Sequence, residues 1–249
     1  MNKVNFAFIP ARGGSVGIKN KNIQKVGGVS LVERAYNHAF SSKLFEKIII
    51  STDSYLILKK LTGKITLSSF NKIPQNEIIY ISSKLVFHKR PDYQAETLSP
   101  IRDVIYSISN KFEFDYLWML QPTTPFRKLN EFNELEILKK TLEDKDCDWS
   151  SIVSCKYVDG QHPDRMFRLK GNYVNPFIKQ SRGENAPRQT LEKLLIKDGG
   201  FYIFKKTEIT KNSFLGDKII PYFRNGIITI NIDSKEDLIL ARAMVYNKW

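Results

Sequence analysis

Residues 6–31 read FAFIPARGGSVGIKNKNIQKVGGVSL, and the interpretation of the whole chain turns on this stretch. An apolar run from Val4 to Pro10 breaks into Ala11, Arg12, Gly13, Gly14 and Ser15. A polar segment with Lys19, Lys21 and Lys25 follows, then a second glycine pair, Gly27 and Gly28. The pattern predicts a strand, a phosphate-binding loop and then a helix. Adjacent glycines let backbone N–H groups approach a ligand closely, while Arg12 and Lys21 supply positive charge for phosphate oxygens. Such a combination suits a nucleoside triphosphate.

Neither of the two common phosphate loops fits. The Walker pattern ends in Gly-Lys-Ser/Thr, whereas Gly17 is followed by Ile18, Lys19 and Asn20. Gly13, Gly14 and Gly17 also miss the spacing of G-x-G-x-x-G. The segment IPARGGSVGIKNKNIQKVGG closely resembles the opening motif of the CMP-sialic acid synthetase family of cytidylyltransferases, which reads roughly IPARGGSKGIPxKNIxxLGG. Val16 stands where that family usually carries lysine.

With 249 residues and 42% hydrophobic content, the chain can fill the core of one α/β domain, and a single domain over 1–249 is expected. No run approaches the roughly 20 apolar residues of a membrane helix. The N-terminus passes directly into a strand, so a cytoplasmic protein without membrane contact is expected. Cys147 and Cys155 form no C-x-x-C pair and have no histidine cluster nearby, which argues against zinc or a disulfide framework and suggests buried thiols. The formal charge of +13, from 39 basic and 26 acidic residues, is spread along the chain without a basic block. That spread is read as solvated surface or as attraction for small anionic substrates, ahead of nucleic acid.

In chain order, residues 31–40 have helical spacing and 47–54 form a β-branched run ending in polar residues, together one βαβ unit. Its topology would set Ser51 to Asp53 beside the opening loop, at the carboxyl ends of parallel strands. Residues 56–61 read as helix, 78–87 as one or two short strands, 100–111 as helix, 115–120 as a buried strand, 129–143 as helix and 148–158 as strand. Near residue 159 the alternation stops. Lone His162, ahead of Pro163, reads as a structural turn.

The family resemblance runs on through these elements. Ser51-Thr52-Asp53-Ser54 matches a family STD segment, Arg90-Pro91 its Arg-Pro, and Glu96-Thr97-Leu98-Ser99 a variant of its Asp-Thr-Ala-Ser patch. Gln121-Pro122-Thr123-Thr124-Pro125-Phe126-Arg127 matches QPTSPLR, with two prolines stiffening a turn that presents the glutamine. Pro187-Arg188-Gln189 and the later Asp198 to Ile203 resemble PRQ…NGAIYI, Asp198 replacing asparagine. Thr229 to Leu238 resembles D-I-D-T-x-x-D-L, Asn231 replacing the first carboxylate and Asp233 keeping the second. ARGGS, QPTTPFR and NIDSKEDL in this order are far more specific than any one alone.

What the resemblance implies is a Rossmann-like α/β fold of the nucleotide-diphospho-sugar transferase type. It has a mostly parallel sheet flanked by helices and a small dimerisation arm at about 159–189. The implied reaction is Mg²⁺-dependent: CTP and an N-acylneuraminate, a nine-carbon sugar acid, give the CMP-sugar and diphosphate for cell-surface polysaccharide. Legionaminate, pseudaminate and Kdo-like acids stay open as substrates. So do a weakened nucleotide-binding paralogue, on account of Val16 and Asn231, and, on charge alone, an RNA-binding protein. By resemblance Arg12, Lys21 and Asp233 are catalytic. Ala11, Arg12, Gly13, Ser15, Asn22, Arg90 and Ser99 bind nucleotide, Gln121, Arg188, Gln189 and Tyr202 bind the sugar acid, and Asp233 with Asn231 holds Mg²⁺. A homodimer is expected, with no nucleic acid partner.

Overall fold

Strand β1 (Asn5–Pro10) is buried along nearly its whole length, as a central strand with helices on both faces must be. The structure, a computed structural model, describes residues 3–15, 17–63, 65–158, 160–179 and 186–246. Val16, which stands where the resembled family carries lysine, lies outside the described residues, as do residues 159 and 180–185 of the expected arm.

The opening loop does not run straight into a helix, contrary to the sequence expectation. A 3₁₀ turn at Lys21–Ile23 comes first, then a small hairpin of β2 (Lys25–Val26) and β3 (Val29–Ser30). Gly27 and Gly28 close this hairpin with φ of 60° and 79°, a two-residue turn that side chains with a Cβ resist. Helix α1 (Leu31–Ser42) then starts on a capping box: the Ser30 hydroxyl accepts from the Glu33 amide, and the Glu33 carboxylate accepts from the Ser30 amide.

The chain continues through β4 (Lys47–Thr52), α2 (Tyr55–Thr62), α3 (Leu67–Asn71), β5 (Ile78–Tyr80) and β6 (Leu85–Lys89). Next come α4 (Asp92–Ala95), α5 (Ile101–Ser109), β7 (Tyr116–Met119), α6 (Leu129–Asp144) and β8 (Ser151–Tyr157). After β9 (Phe167–Lys170) and β10 (Tyr173–Pro176), the chain returns through β11 (Leu195–Lys205), β12 (Ile219–Phe223) and α7 (Lys235–Tyr246). Eight strands form one sheet in the order β12-β8-β11-β7-β1-β4-β6-β5. β7, β1, β4 and β6 are mutually parallel, whereas β5 and β11 pair antiparallel to their neighbours.

The core fills both sides of these strands. Trp118 stacks parallel to Phe132 of α6 and meets Phe45 edge-on, and Phe132 meets Phe201 edge-on. No described helix is long and apolar enough to cross a membrane. Of the cysteines expected to be buried, Cys147 is exposed and Cys155 half-buried, because Cys147 lies in the loop before β8 and Cys155 in the part of β8 where burial falls away.

The chain divides into two compact units, Met1–Ser154 with Asp198–Trp249, and Cys155–Lys197. The segment expected as an arm falls inside the second unit. There β9 and β10 form an antiparallel hairpin whose eight residues are all exposed, and Met166, Phe177 and Ile178 beside it are exposed as well. His162 is a turn residue, as its context suggested: it caps the 3₁₀ turn Pro163–Arg165, Nδ1 accepting from the Asp164 amide, and Nε2 lies 3.1 Å from the Glu192 carbonyl.

Candidate active site

The parallel strands β1, β6 and β7 all end on one side of the sheet, so the segments that follow them meet there. They enclose a cleft of about 460 Å³ lined by Arg12, Ser15, Lys21, Asn22, Arg90, Ser99 and Gln121, with Asp233 from the far end of the chain. Arg12, Lys21 and Arg90 face one lining carboxylate, Asp233, so the cleft favours an anion.

Each wall is held by a specific contact. The Asn22 side chain, almost fully buried, donates to the Arg12 carbonyl at 2.8 Å and so fixes the loop backbone. Arg12 Nη1 donates to the Glu96 carbonyl at 2.8 Å, tying the loop to the segment that ends in Ser99. Ser99 itself donates to the Tyr93 carbonyl. A Cβ on Gly17 would lie 2.4 Å from the Asp233 carbonyl oxygen, so glycine there lets the loop approach the C-terminal motif. The Ile232 amide donates to the Thr123 carbonyl at 2.8 Å, which docks the same motif on the turn after β7.

That turn is clamped from beneath by Arg127, a buried side chain. Its Nη2 donates to the Gln121 carbonyl at 2.9 Å, Nη1 to the Thr124 carbonyl at 2.7 Å and Nε to the Gly200 carbonyl at 2.8 Å. Burial, then the nearby Arg224 charge, pushes the Arg127 pKa down to about 9, still above neutrality, so the clamp stays cationic. Glu131 pairs with Arg224 at 2.7 Å, and Asp198 lies 3.9 Å from Arg224. Two buried arginines are thus matched by two buried carboxylates, which gives Asp198, where the family carries asparagine, a structural reason.

Several expected site residues are placed otherwise. Ala11 is fully buried, and its amide donates to the Ser51 carbonyl, so it anchors the loop from below the cleft. The Gly13 amide, expected to turn toward phosphate, donates to the Asp53 carboxylate at 2.8 Å. Tyr202 is buried in β11 opposite Met119 and is not part of the cleft lining. Arg188 and Gln189 belong to the second unit, where with Tyr157, His162 and Leu191 they line a cavity of about 570 Å³. Sequence reasoning passed over Gln94, which also lines the cleft and whose buried Oε1 has no hydrogen-bond partner among the described residues. No local pattern marks it, since it sits in the four-residue helix α4.

The residues at the expected metal position can be tested against the ion. Asp233 Oδ1 stands 2.9 Å from Lys21 Nζ, and its other oxygen accepts from the Asn231 amide nitrogen. Among the described residues no three His, Cys, Asp or Glu side chains converge on a cation position. One exposed carboxylate fits a magnesium ion that arrives on a triphosphate and keeps most of its ligands from phosphate and water. It does not fit a cation held by the protein alone.

Comparison with known proteins agrees with this geometry. A family model described as cytidylyltransferase matches residues 6–64. The chain is 26% identical over 256 residues to a CMP-N,N'-diacetyllegionaminic acid synthase of Legionella pneumophila, covering 96% of this chain and 95% of that one. It is 25% identical over 236 residues to an N-acylneuraminate cytidylyltransferase of Escherichia coli, covering 94% of this chain but only 50% of that protein. Its fold is similar to that of a CMP:2-keto-3-deoxy-manno-octonic acid synthetase solved with CTP, with a TM-score of 0.63, 13% identity and coverage of 99% and 100% of the two chains.

Proposed function

We propose that this chain, a nucleotidyltransferase of the cytidylyltransferase family, joins CTP to a nine-carbon 2-keto sugar acid of the sialic-acid type, releasing diphosphate. The observation that carries the reading is the meeting of Arg12, Lys21, Arg90, Gln121 and Asp233 in one cleft, from motifs at opposite ends of the sequence. N-acetylneuraminate is the first candidate. The relative named for diacetyllegionaminate matches over 95% of its length, whereas the neuraminate enzyme matches over 50%, which favours legionaminate as the second reading.

In the proposed reaction the anomeric hydroxyl of the sugar acid attacks the α-phosphorus, a P–O bond forms, and the bond to diphosphate breaks. Arg12 and Lys21 stabilise the charge that grows on the phosphate oxygens, because fixed cations in a cleft need no reorganisation at that moment. Gln121, on its clamped turn, orients the sugar acid, and Ser15, Asn22, Arg90 and Ser99 hold the nucleotide. A bound magnesium ion would neutralise triphosphate charge, with Asp233 as its protein ligand. Arg188 and Gln189 come to the sugar acid through the family resemblance alone.

A calorimetric titration tests the nucleotide part of this reading. CTP should bind more tightly than UTP, ATP or GTP, and tighter ATP or GTP binding would overturn it. We further assign the second unit to a homodimer contact, since Phe167, Leu169, Tyr173 and Phe177 leave a large apolar surface uncovered. Light scattering at micromolar concentration should give about twice the 28.9 kDa chain mass, and a monomer mass would contradict the assignment.

A further inference from the structure

Arg90 reaches the cleft from the end of β6 with almost its whole side chain buried, which raises the question of what holds it. Two of its donors are committed to a single residue, Nε to the Ser51 hydroxyl at 3.1 Å and Nη2 to the Ser51 carbonyl at 3.0 Å. Nη1 has no hydrogen-bond partner among the described residues, and the guanidinium forms part of the cleft wall. The Ser51 hydroxyl lies 2.9 Å from His88 Nδ1, and His88 Nε2 lies 3.0 Å from Asn76 Oδ1, which also accepts from Ser107 at 3.1 Å. Ser51 and His88 are completely buried.

Proton bookkeeping gives this chain one direction. Arg90 can only donate, so the Ser51 oxygen accepts from it and sends its own proton to His88 Nδ1. Nδ1 must then be the unprotonated nitrogen, and Nε2–H donates to Asn76. From Arg90 Nε through Ser51 and His88 to Asn76, every donor then finds an acceptor, provided that His88 is neutral. Burial first, and then the Arg90 and Lys111 charges, depress its pKa to about 3, so it stays neutral. A buried histidine whose one acceptor nitrogen is spent on a serine that is itself spent on an arginine is a costly arrangement for packing alone.

We infer that Ser51 and His88 are positioning residues, a relay that fixes the Arg90 guanidinium so that Nη1 meets an acceptor oxygen of the bound nucleotide. Resting on the nucleotide reading above, the inference adds what sets Arg90 in place. His88 is the distal member: it touches no ligand, yet without its acceptor nitrogen the Ser51 hydroxyl can turn away from Arg90.

The test is CTP affinity by calorimetry in the native protein, His88→Leu, His88→Asn, Ser51→Ala and the Ser51→Ala/His88→Leu double variant, with melting temperatures for each. Asparagine keeps an acceptor oxygen near the place of Nδ1, and leucine does not. His88→Leu should weaken CTP about tenfold and Ser51→Ala about as much. The double variant should be no weaker than either single one, because both break the same relay. His88→Asn should bind within about threefold of native even though it melts lower. Native-like affinity in Ser51→Ala and His88→Leu, additive losses in the double variant, or losses that follow melting temperature in both His88 variants would each overturn the relay. Failure of the native protein to bind CTP would instead overturn the nucleotide reading, and the relay with it.

Discussion

Lys21 Nζ and Asp233 Oδ1 meet at 2.9 Å although 212 positions separate them, and this pair closes the cleft between the first and last motifs of the chain. An ion pair with one exposed partner adds little stability. Its consequence is placement: the ammonium is held beside the carboxylate that would carry a cation, at the rim where a triphosphate would lie.

Loss of the loop cations should therefore fall on turnover. Arg12→Ala and Lys21→Ala are each expected to lower the rate about 10²-fold or more, the usual effect of removing a cation that faces a reacting phosphate. Steady-state rates at saturating CTP check this. Unchanged rates in both variants would reduce the loop to a structural turn.

Asn231 donates to Asp233 where the resembled family places a first carboxylate, so a magnesium ion bound there would meet one negative protein ligand rather than two. The native protein should need more Mg²⁺ than a two-carboxylate site, and Asn231→Asp should move the activity curve to lower Mg²⁺. Coincident curves would show that position 231 takes no part. Activity in the variant alone would mark the native chain as a nucleotide-binding partner rather than a working enzyme.

Acid should destabilise the fold through two histidines. Burial, followed by neighbouring positive charges, lowers His38 and His88 to about 3, whereas an unfolded histidine titrates near 6.5. Between those values the unfolded chain binds the extra protons. The stability they contribute is complete above about pH 6.5 and is lost as pH falls toward 3, at up to about 1.4 kcal/mol per unit for each histidine. Melting temperature should drop from pH 7 to pH 4.5, and replacing both histidines with uncharged residues should flatten that limb. An equally steep limb in the double variant would assign the loss to carboxylates.

The parts of this molecule that could be read in advance are those written locally. β1, α1, β4 and α6 follow from apolar periodicity, and the first two motifs converge because parallel strands β1 and β7 end on the same side of the sheet, whereas the third is brought in by its docking on Thr123 and Lys21. What was hidden depends on contacts between distant residues. Nothing near Gly13 announces that its amide belongs to Asp53, 40 positions away, rather than to phosphate. Arg127 could be matched to a motif, but its role as a clamp on three carbonyls appears only when β11 lies beside β7. His88, one position past the strand read over 78–87, carried no local signal of its place beside Ser51. The substitution at Asp198 was visible, yet its partner Arg224 was not, because charge balance in a core is a property of the assembled structure.

The central claim is the transfer itself, and the most direct measurement is diphosphate release from the purified protein. Each of CTP, UTP, ATP and GTP would be mixed with Mg²⁺ and a panel of sugar acids that includes N-acetylneuraminate, diacetyllegionaminate, pseudaminate and Kdo. Release should require both CTP and a nine-carbon acid, with the CMP-sugar as the second product. Release that depends on another nucleotide, or none with CTP and any acid while CTP still binds, would contradict it.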